Sequence, residues 1–480
     1  MRQNTMAMKE ILIGREAEKK RLLQYVATEK SEFIALYGRR RVGKTFLVKQ
    51  VLGNDFSFSV TGMANVSNSE QLKNFQLAMQ KYTRCPDVPT DWLTAFSMLE
   101  KYLGKLKVDK KIIFIDEMPW MDGKGSGFVS ALEHFWNSWA SYRNDIKLIV
   151  CGSATSWILN KIIKNRGGLH NRVTHQMLVS PFTLRECASY FKENGFGYAH
   201  EEIAECYMAL GGIPYYLSLF EQDKSVAQNI DNLCFMRGAE LSMEFNNLYS
   251  SLFKKATKHI AIVSALATKG MGMTRLQLLK ATKSVNNGNF TATLRELEQC
   301  EFIRSYTPFG KNKKDKMYQL IDPFTLFHFR YLKKRESIKQ AYWSKIQETS
   351  AFYNWCGYAF EILCLHHIEQ ILKALSIAGI NNTPCSWSIS GNDHRNGAQI
   401  DLLIDRADKT INICEMKYTR HEFEITKEYD SALHRKMDTF KKETGTRKSL
   451  MVTMISSAGL VDNMYSRRLQ KVVTLEDLFQ

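Results

Sequence analysis

The strongest constraint on this chain is the run Gly38–Thr45, G-R-R-R-V-G-K-T. It follows E-F-I-A-L-Y at 32–37, an apolar run suited to a buried strand, and leads into F-L-V-K-Q-V-L, a helical pattern. Gly38 and Gly43 let the backbone wrap, so that the amides of Arg39, Arg40, Arg41 and Val42 turn toward phosphate oxygens. The new helix adds its positive end. Lys44 is placed to reach β- and γ-phosphates, and the Thr45 hydroxyl to hold Mg2+. A chance glycine-rich turn is the competing reading; the strand before and the helix after argue against it.

A second apolar run ends in two carboxylates, K-I-I-F-I-D-E at 111–117. In a parallel sheet, function gathers at the carboxyl ends of strands. Asp116 is therefore a candidate Mg2+ ligand and Glu117 a candidate general base for an attacking water. A third run, K-L-I-V-C at 147–151, is followed by G-S-A-T-S. Its tip offers Ser153 as a γ-phosphate sensor, with Thr155 as rival and an ordinary turn as alternative. Arg166 and Arg172, in R-G-G-L-H-N-R, are candidates for an arginine finger acting in cis or from a neighbouring copy; a solvated basic loop is the plainer reading of each.

These pieces resemble the archaeal-type P-loop ATPases at the border of the AAA+ and STAND groups. The resemblance runs from residue 11 to about 220. It rests on I-L-I-G-R-E-A-E, the P-loop, I-I-F-I-D-E-M-P-W, the C-G-S after the third strand, S-P-F-T-L-R-E and G-G-I-P-Y-Y-L. It implies ATP with Mg2+ as cofactors, Gly14 and Arg15 near the base or ribose, and Pro214 approaching adenine from a helical lid. H-N-R stands where this family more usually has Y-G-R.

The chain has 480 residues, a net charge of +17 and ten cysteines, none in a C-x-x-C pair. That length predicts several domains. Scattered cysteines argue against a zinc site or a disulfide framework, and no apolar run is long enough to cross a bilayer. A cytoplasmic protein is the expectation. The positive charge favours a polyanionic partner, DNA first, through counterion release.

Residues 250–335 read as three helices and a hairpin: H-I-A-I-V-S-A-L-A, then R-L-Q-L-L-K-A capped by Thr274, then F-T-A-T-L-R-E-L-E-Q-C. The strands E-F-I-R-S-Y and K-M-Y-Q-L-I flank the basic loop G-K-N-K-K-D-K. This pattern describes a winged helix, with Lys311, Lys313, Lys314 and Lys316 suited to phosphate contact from the wing. The third helix carries Arg295 among Glu296 and Glu298, a poor groove reader, so a structural or regulatory module is the alternative.

Further on, a helix carries Glu361, and A-Q-I-D-L-L-I-D and I-N-I-C-E-M-K-Y form two strands about a turn. Alternation puts Glu415 and Lys417 on one face, and a hairpin would bring Asp401 beside Glu415. Paired carboxylates suit Mg2+ when a substrate phosphate supplies other ligands. Lys417 would orient water and offset developing charge. Glu361, Asp401, Glu415 and Lys417 resemble the PD-(D/E)XK nuclease pattern; a charged hairpin, or such a fold without activity, is the alternative. Asp405 and Asp408 read as turn residues, and His366 and His367 as capping or packing groups. The expected fold is thus α/β: a P-loop NTPase parallel sheet with a helical lid at 1–240, a winged helix at 245–335 and a small α/β nuclease-like domain at 340–480. ATP, DNA and a second copy of the chain are the expected partners.

Overall fold

A computed structural model describes residues 12–53, 55–84, 87–164, 167–253, 255–333, 341–391 and 397–480. Arg166 lies outside the described residues, and so does the Lys313 side chain. The chain divides into two compact units. One runs through Pro181 and takes in Ser251–Phe253; the other holds Phe182–Ser250 and the chain after Phe253. This division does not coincide with the sequence-derived boundary at 240: the helices assigned to the lid cluster with the C-terminal half.

The first unit is built on five parallel strands: β1 (Glu32–Tyr37), β2 (Phe58–Thr61), β3 (Lys111–Asp116), β4 (Ile146–Gly152) and β5 (His175–Leu178), in the order β2-β3-β4-β1-β5. Helices α1 (Glu16–Ala27), α2 (Lys44–Leu52), α3 (Asn68–Met79), α4 (Trp92–Lys105) and α5 (Phe128–Ser138) connect or flank them. Parallel strands covered on both faces read as unbroken apolar runs. That is why β1, β3 and β4 are visible in the sequence, and every residue of β4 is buried. Phe58, Phe75, Trp92, Phe96, Phe128 and Phe135 belong to one core cluster on the sheet. Because β4 lies between β1 and β3, its tip stands between the P-loop and the Asp116–Glu117 pair.

In the second unit, helices Ala256–Leu266, Arg275–Thr282 and Gly288–Gln299 precede a small antiparallel sheet, β6 (Met273–Thr274), β7 (Ile303–Tyr306) and β8 (Met317–Leu320), ordered β6-β8-β7. Thr274 caps the second of these helices in a reciprocal box with Gln277. A second sheet has the order β13-β12-β11-β10-β9. Strands β9 (Asn382–Ile389), β10 (Ala398–Arg406) and β11 (Thr410–Lys417) run antiparallel. The helix Lys427–Thr444 then carries the chain to β12 (Ser449–Ser456), parallel to β11, and β13 (Lys471–Thr474) follows.

The hairpin between β7 and β8 is tied to this second sheet. The Phe309 amide donates to the Ser386 carbonyl on edge strand β9 at 2.9 Å, and the Phe309 ring packs on Phe440 beside Trp387. An edge strand left bare invites aggregation, and this contact covers it. The nine described cysteines are buried free thiols. No helix among the described residues is long and apolar enough to cross a membrane.

His367 acts as the capping group its sequence position suggested. Its Nε2 accepts the Leu184 amide at 2.9 Å and its Nδ1 donates to the Leu363 carbonyl at 2.8 Å, which fixes a neutral ring. The Leu184 amide opens the helix Leu184–Glu193 and has no partner within it. Burial pushes the His367 pKa down from 6.5 to about 4, against the pull of the Leu363 carbonyl. A depressed histidine pKa means that the unfolded chain takes up the proton first. Stability is complete above pH 6.5 and lost as pH falls toward 4. The loss through this residue is about 3 kcal/mol. Urea unfolding across that window is expected to show it, and His367→Gln, whose amide oxygen still accepts from Leu184, is expected to flatten it.

Candidate nucleotide site and C-terminal carboxylate cluster

The P-loop is held by contacts within itself and by its neighbours. Gly43 caps α2 at φ 88° and Arg41 sits at φ 71°. At Gly38, a Cβ would lie 2.2 Å from the Val179 carbonyl oxygen, so only glycine lets the loop pass the segment after β5. The buried Lys44 ammonium donates to the Gly38 and Arg39 carbonyls at 2.8 and 2.9 Å, which holds its charge inside the loop. Arg15, expected near the base or ribose, is buried and donates to the Val42 carbonyl at 3.1 Å. It braces the loop from behind.

The strand tips complete the arrangement. The Thr45 hydroxyl donates to Asp116 Oδ2 at 2.8 Å, a hydroxyl and a carboxylate aimed at one point. Asp116 Oδ1 takes the Glu117 amide at 2.9 Å. Glu117 lies at φ 45°, ψ 40°, in the left-handed region that non-glycine residues avoid. Gly62 makes room for this turn, since a Cβ there would meet the Glu117 carbonyl oxygen at 2.5 Å. The Glu117 carboxylate accepts from the Ser153 hydroxyl at 2.9 Å and the Ser153 amide at 3.2 Å. Of the two rivals after β4, Ser153 therefore meets the acid. Thr155 is fully buried and its hydroxyl has no hydrogen-bond partner among the described residues.

Sequence reasoning passed over Cys151, which lies behind the site. Burial pushes its thiol well above the usual range, and Asp116 adds to the rise. Arg40 and Arg172 are exposed, Arg172 in the turn after Leu169. Pro214 opens the short helix Pro214–Leu217 in the second unit. Gly212 lies against the Phe182 backbone there, where a Cβ would meet the carbonyl oxygen at 2.0 Å.

A glycine-bounded loop, a hydroxyl–carboxylate pair and a tethered glutamate, set at the tips of a parallel sheet, are the arrangement expected of a P-loop ATPase domain. Residues 12–220 match the family described as an ATPase domain predominantly from Archaea. An uncharacterised protein of Methanocaldococcus jannaschii is 26% identical over 422 residues, 85% of this chain and 88% of that one. Among solved structures, the Walker-type ATPase of Pyrococcus abyssi is 19% identical, covering 66% of this chain and 96% of its own, with a TM-score of 0.48. The ORC2 protein of Aeropyrum pernix, solved in ADPNP–ADP complexes, is 13% identical over 68% of this chain and 94% of its own, with a TM-score of 0.38.

In the second unit, the four residues singled out from the sequence come together. The β10–β11 register pairs Leu402 with Cys414 and so sets Asp401 across from Glu415. Asp401 also sits where the β9–β10 register slips, between Ile400 and Leu403. Such bulges re-aim side chains beside functional sites. Glu361, on the helix Ser350–His366, is pushed up to about 8, first by burial and then by Asp401, with Lys417 opposing. Among the described residues, no three of His, Cys, Asp and Glu are grouped closely enough to hold a metal alone. Two carboxylates and a lysine fit Mg2+ only together with oxygens from a phosphate or water.

Two neighbours of this cluster carried no sequence signal. Gln399 donates to Asp401 at 2.5 Å, and Lys436 on the helix Lys427–Thr444 donates to Glu415. Asp405 and Asp408 pair with Lys448 and Arg406 at the far end of the hairpin. In the three-helix segment, Glu296 pairs with His259 at 2.7 Å, and Lys316 with Glu298 at 3.8 Å. Lys311, Lys314 and Arg295 are exposed.

The Ser153 contact separates two outcomes. Ser153→Ala is expected to slow ATP turnover about a hundredfold, by freeing the Glu117 carboxylate, while nucleotide affinity stays within about threefold. Thr155→Val is expected to leave turnover unchanged and thermal stability equal or higher, since it removes a hydroxyl without a partner. Steady-state kinetics and nucleotide titration of both variants check this.

Proposed function

We propose that this protein binds ATP with Mg2+, hydrolyses it, and couples nucleotide state to the binding or processing of DNA. The Thr45–Asp116 hydrogen bond, with Glu117 held by Ser153, carries the hydrolase part. In this reading the amides of Gly38 to Gly43 cradle phosphates, Lys44 moves from the loop carbonyls to the β- and γ-phosphates, and Glu117 takes a proton from the attacking water. Thr45 and Asp116 would hold Mg2+, which would supply positive charge against the phosphates. Pro214 serves the adenine from the lid. Arg172, exposed, serves as a finger in cis or from a second copy.

The DNA part rests on the charge of +17 and on the Glu361, Asp401, Glu415 and Lys417 cluster, read as a nuclease-like site with Asp401 and Glu415 as Mg2+ ligands. The three-helix segment with its hairpin is read as a winged helix, and Lys311 and Lys314 as its phosphate contacts.

One observation favours a second reading. Phe309 anchors the hairpin on β9, and Glu296 and Glu298 are engaged at the third helix. A module fastened this way suits a regulatory switch that turns ATP over slowly and acts through protein partners, with the nuclease-like domain inactive.

ATP hydrolysis with Mg2+, with and without double-stranded and branched DNA, separates the two. The first reading expects DNA-stimulated turnover that drops at least about a hundredfold in Glu117→Gln and DNA affinity that falls steeply with salt. Tight ATP binding with negligible turnover, indifferent to DNA, would replace it with the switch.

A further inference from the structure

The helix Lys427–Thr444 places Tyr429, Leu433, Lys436 and Phe440 at intervals of four, three and four residues, one face of a helix. Leu433 and Phe440 are buried on that face. The two polar members of the set meet the carboxylate cluster. Lys436 donates to Glu415, while Lys417, on the same strand as Glu415, lies with its ammonium 5.4 Å from the centre of the Tyr429 ring. The lysine bound to the key carboxylate is thus Lys436, supplied by the crossover helix.

A second observation points to a ligand at this place. The hydroxyls of Tyr429 and of Tyr358, three residues ahead of Glu361 on its helix, are enclosed and have no hydrogen-bond partner among the described residues. Enclosed donors without partners mark positions where other oxygens are expected. Glu415 is the charge acting on Tyr429, and Glu361 is the foremost charge acting on Tyr358.

Resting on the nuclease-like reading of this cluster, we propose that Lys436 is an internal counter-cation, which holds the Glu415 carboxylate and must yield it when a divalent cation enters. A metal ion entering at Glu415 would compete with the ammonium for the carboxylate's negative charge, and their like charges repel at close range. Lys436 therefore raises the metal concentration the site requires. A phosphate of a nucleic-acid strand offers the released ammonium another anion, so strand and metal strengthen each other's binding by the same factor. The chain then keeps its metal site closed until the polyanion arrives.

Mn2+ binding to the full chain without nucleotide, read by electron paramagnetic resonance, tests this. Asp401→Asn gives the baseline for the C-terminal site. Lys436→Met is expected to bind the Asp401-dependent Mn2+ about tenfold more tightly than wild type, and Lys436→Arg to bind it like wild type. Should Lys436→Met fail to fold, Lys436→Gln keeps a neutral donor to Glu415 and carries the same expectation. Asp401-dependent binding that is no tighter without the ammonium overturns the proposal alone. No Asp401-dependent Mn2+ in wild type or in the variants overturns it together with the nuclease-like reading.

Discussion

A single hydrogen bond joins the two sequence motifs on which the nucleotide site depends. Thr45 stands at the start of α2 and Asp116 at the end of β3, 71 residues later, and their oxygens are 2.8 Å apart. Neither residue can be moved without the other, because each is fixed by its own element. Thr45 follows a loop that only glycine at 38 and a left-handed turn at 43 can form. Asp116 ends a strand whose backbone is paired on both sides, with β2 and β4. The strained turn at Glu117 is tolerated because the chain is held before it by the sheet and after it by Ser153. Remove the parallel order that sets β4 between β1 and β3, and Ser153 no longer reaches the acid.

This explains which features were legible in the sequence. Fully buried parallel strands write themselves as apolar runs, and their tips then mark the site without further information. Lys111–Asp116 stood out in the sequence because the strand ends where the carboxylates begin. Contacts between distant elements leave no such trace. The contact from Arg15, a left-handed cap at φ 61°, to the Val42 carbonyl is one of these, and the family resemblance alone spoke of that arginine. Lys436 was invisible for a similar reason: its partner is 21 residues away, and an amphipathic helix rich in lysine reads as a solvated face. The choice of Ser153 over Thr155 needed the tip of β4 in three dimensions.

The β7–β8 hairpin has contacts that its sequence pattern did not announce. Its basic loop has the composition of a phosphate-contacting wing. Its Phe309 donates a backbone hydrogen bond to β9 and, half-buried, packs against the cluster that holds Trp387 and Phe440. Exposing that edge again would cost a backbone hydrogen bond and the packing of a half-buried aromatic ring. Lys311 and Lys314 remain exposed beyond the anchor.

The same physical logic governs the carboxylate cluster. Three acids brought close together repel one another, and each needs a different remedy. Glu361 is driven toward its protonated form by burial and by Asp401. Asp401 keeps partial exposure at the bulge and a hydrogen bond from Gln399. Glu415, the most buried by its position in β11, takes the ammonium of Lys436. Burial and Asp401 favour the proton on Glu361, while Lys436 and Lys417 place positive charge beside Glu415. A neutral cluster can be buried inside a fold at modest cost, whereas an unpaired charge cannot. The charge of Glu415 is therefore met from within the chain, by Lys436 brought in on the helix Lys427–Thr444.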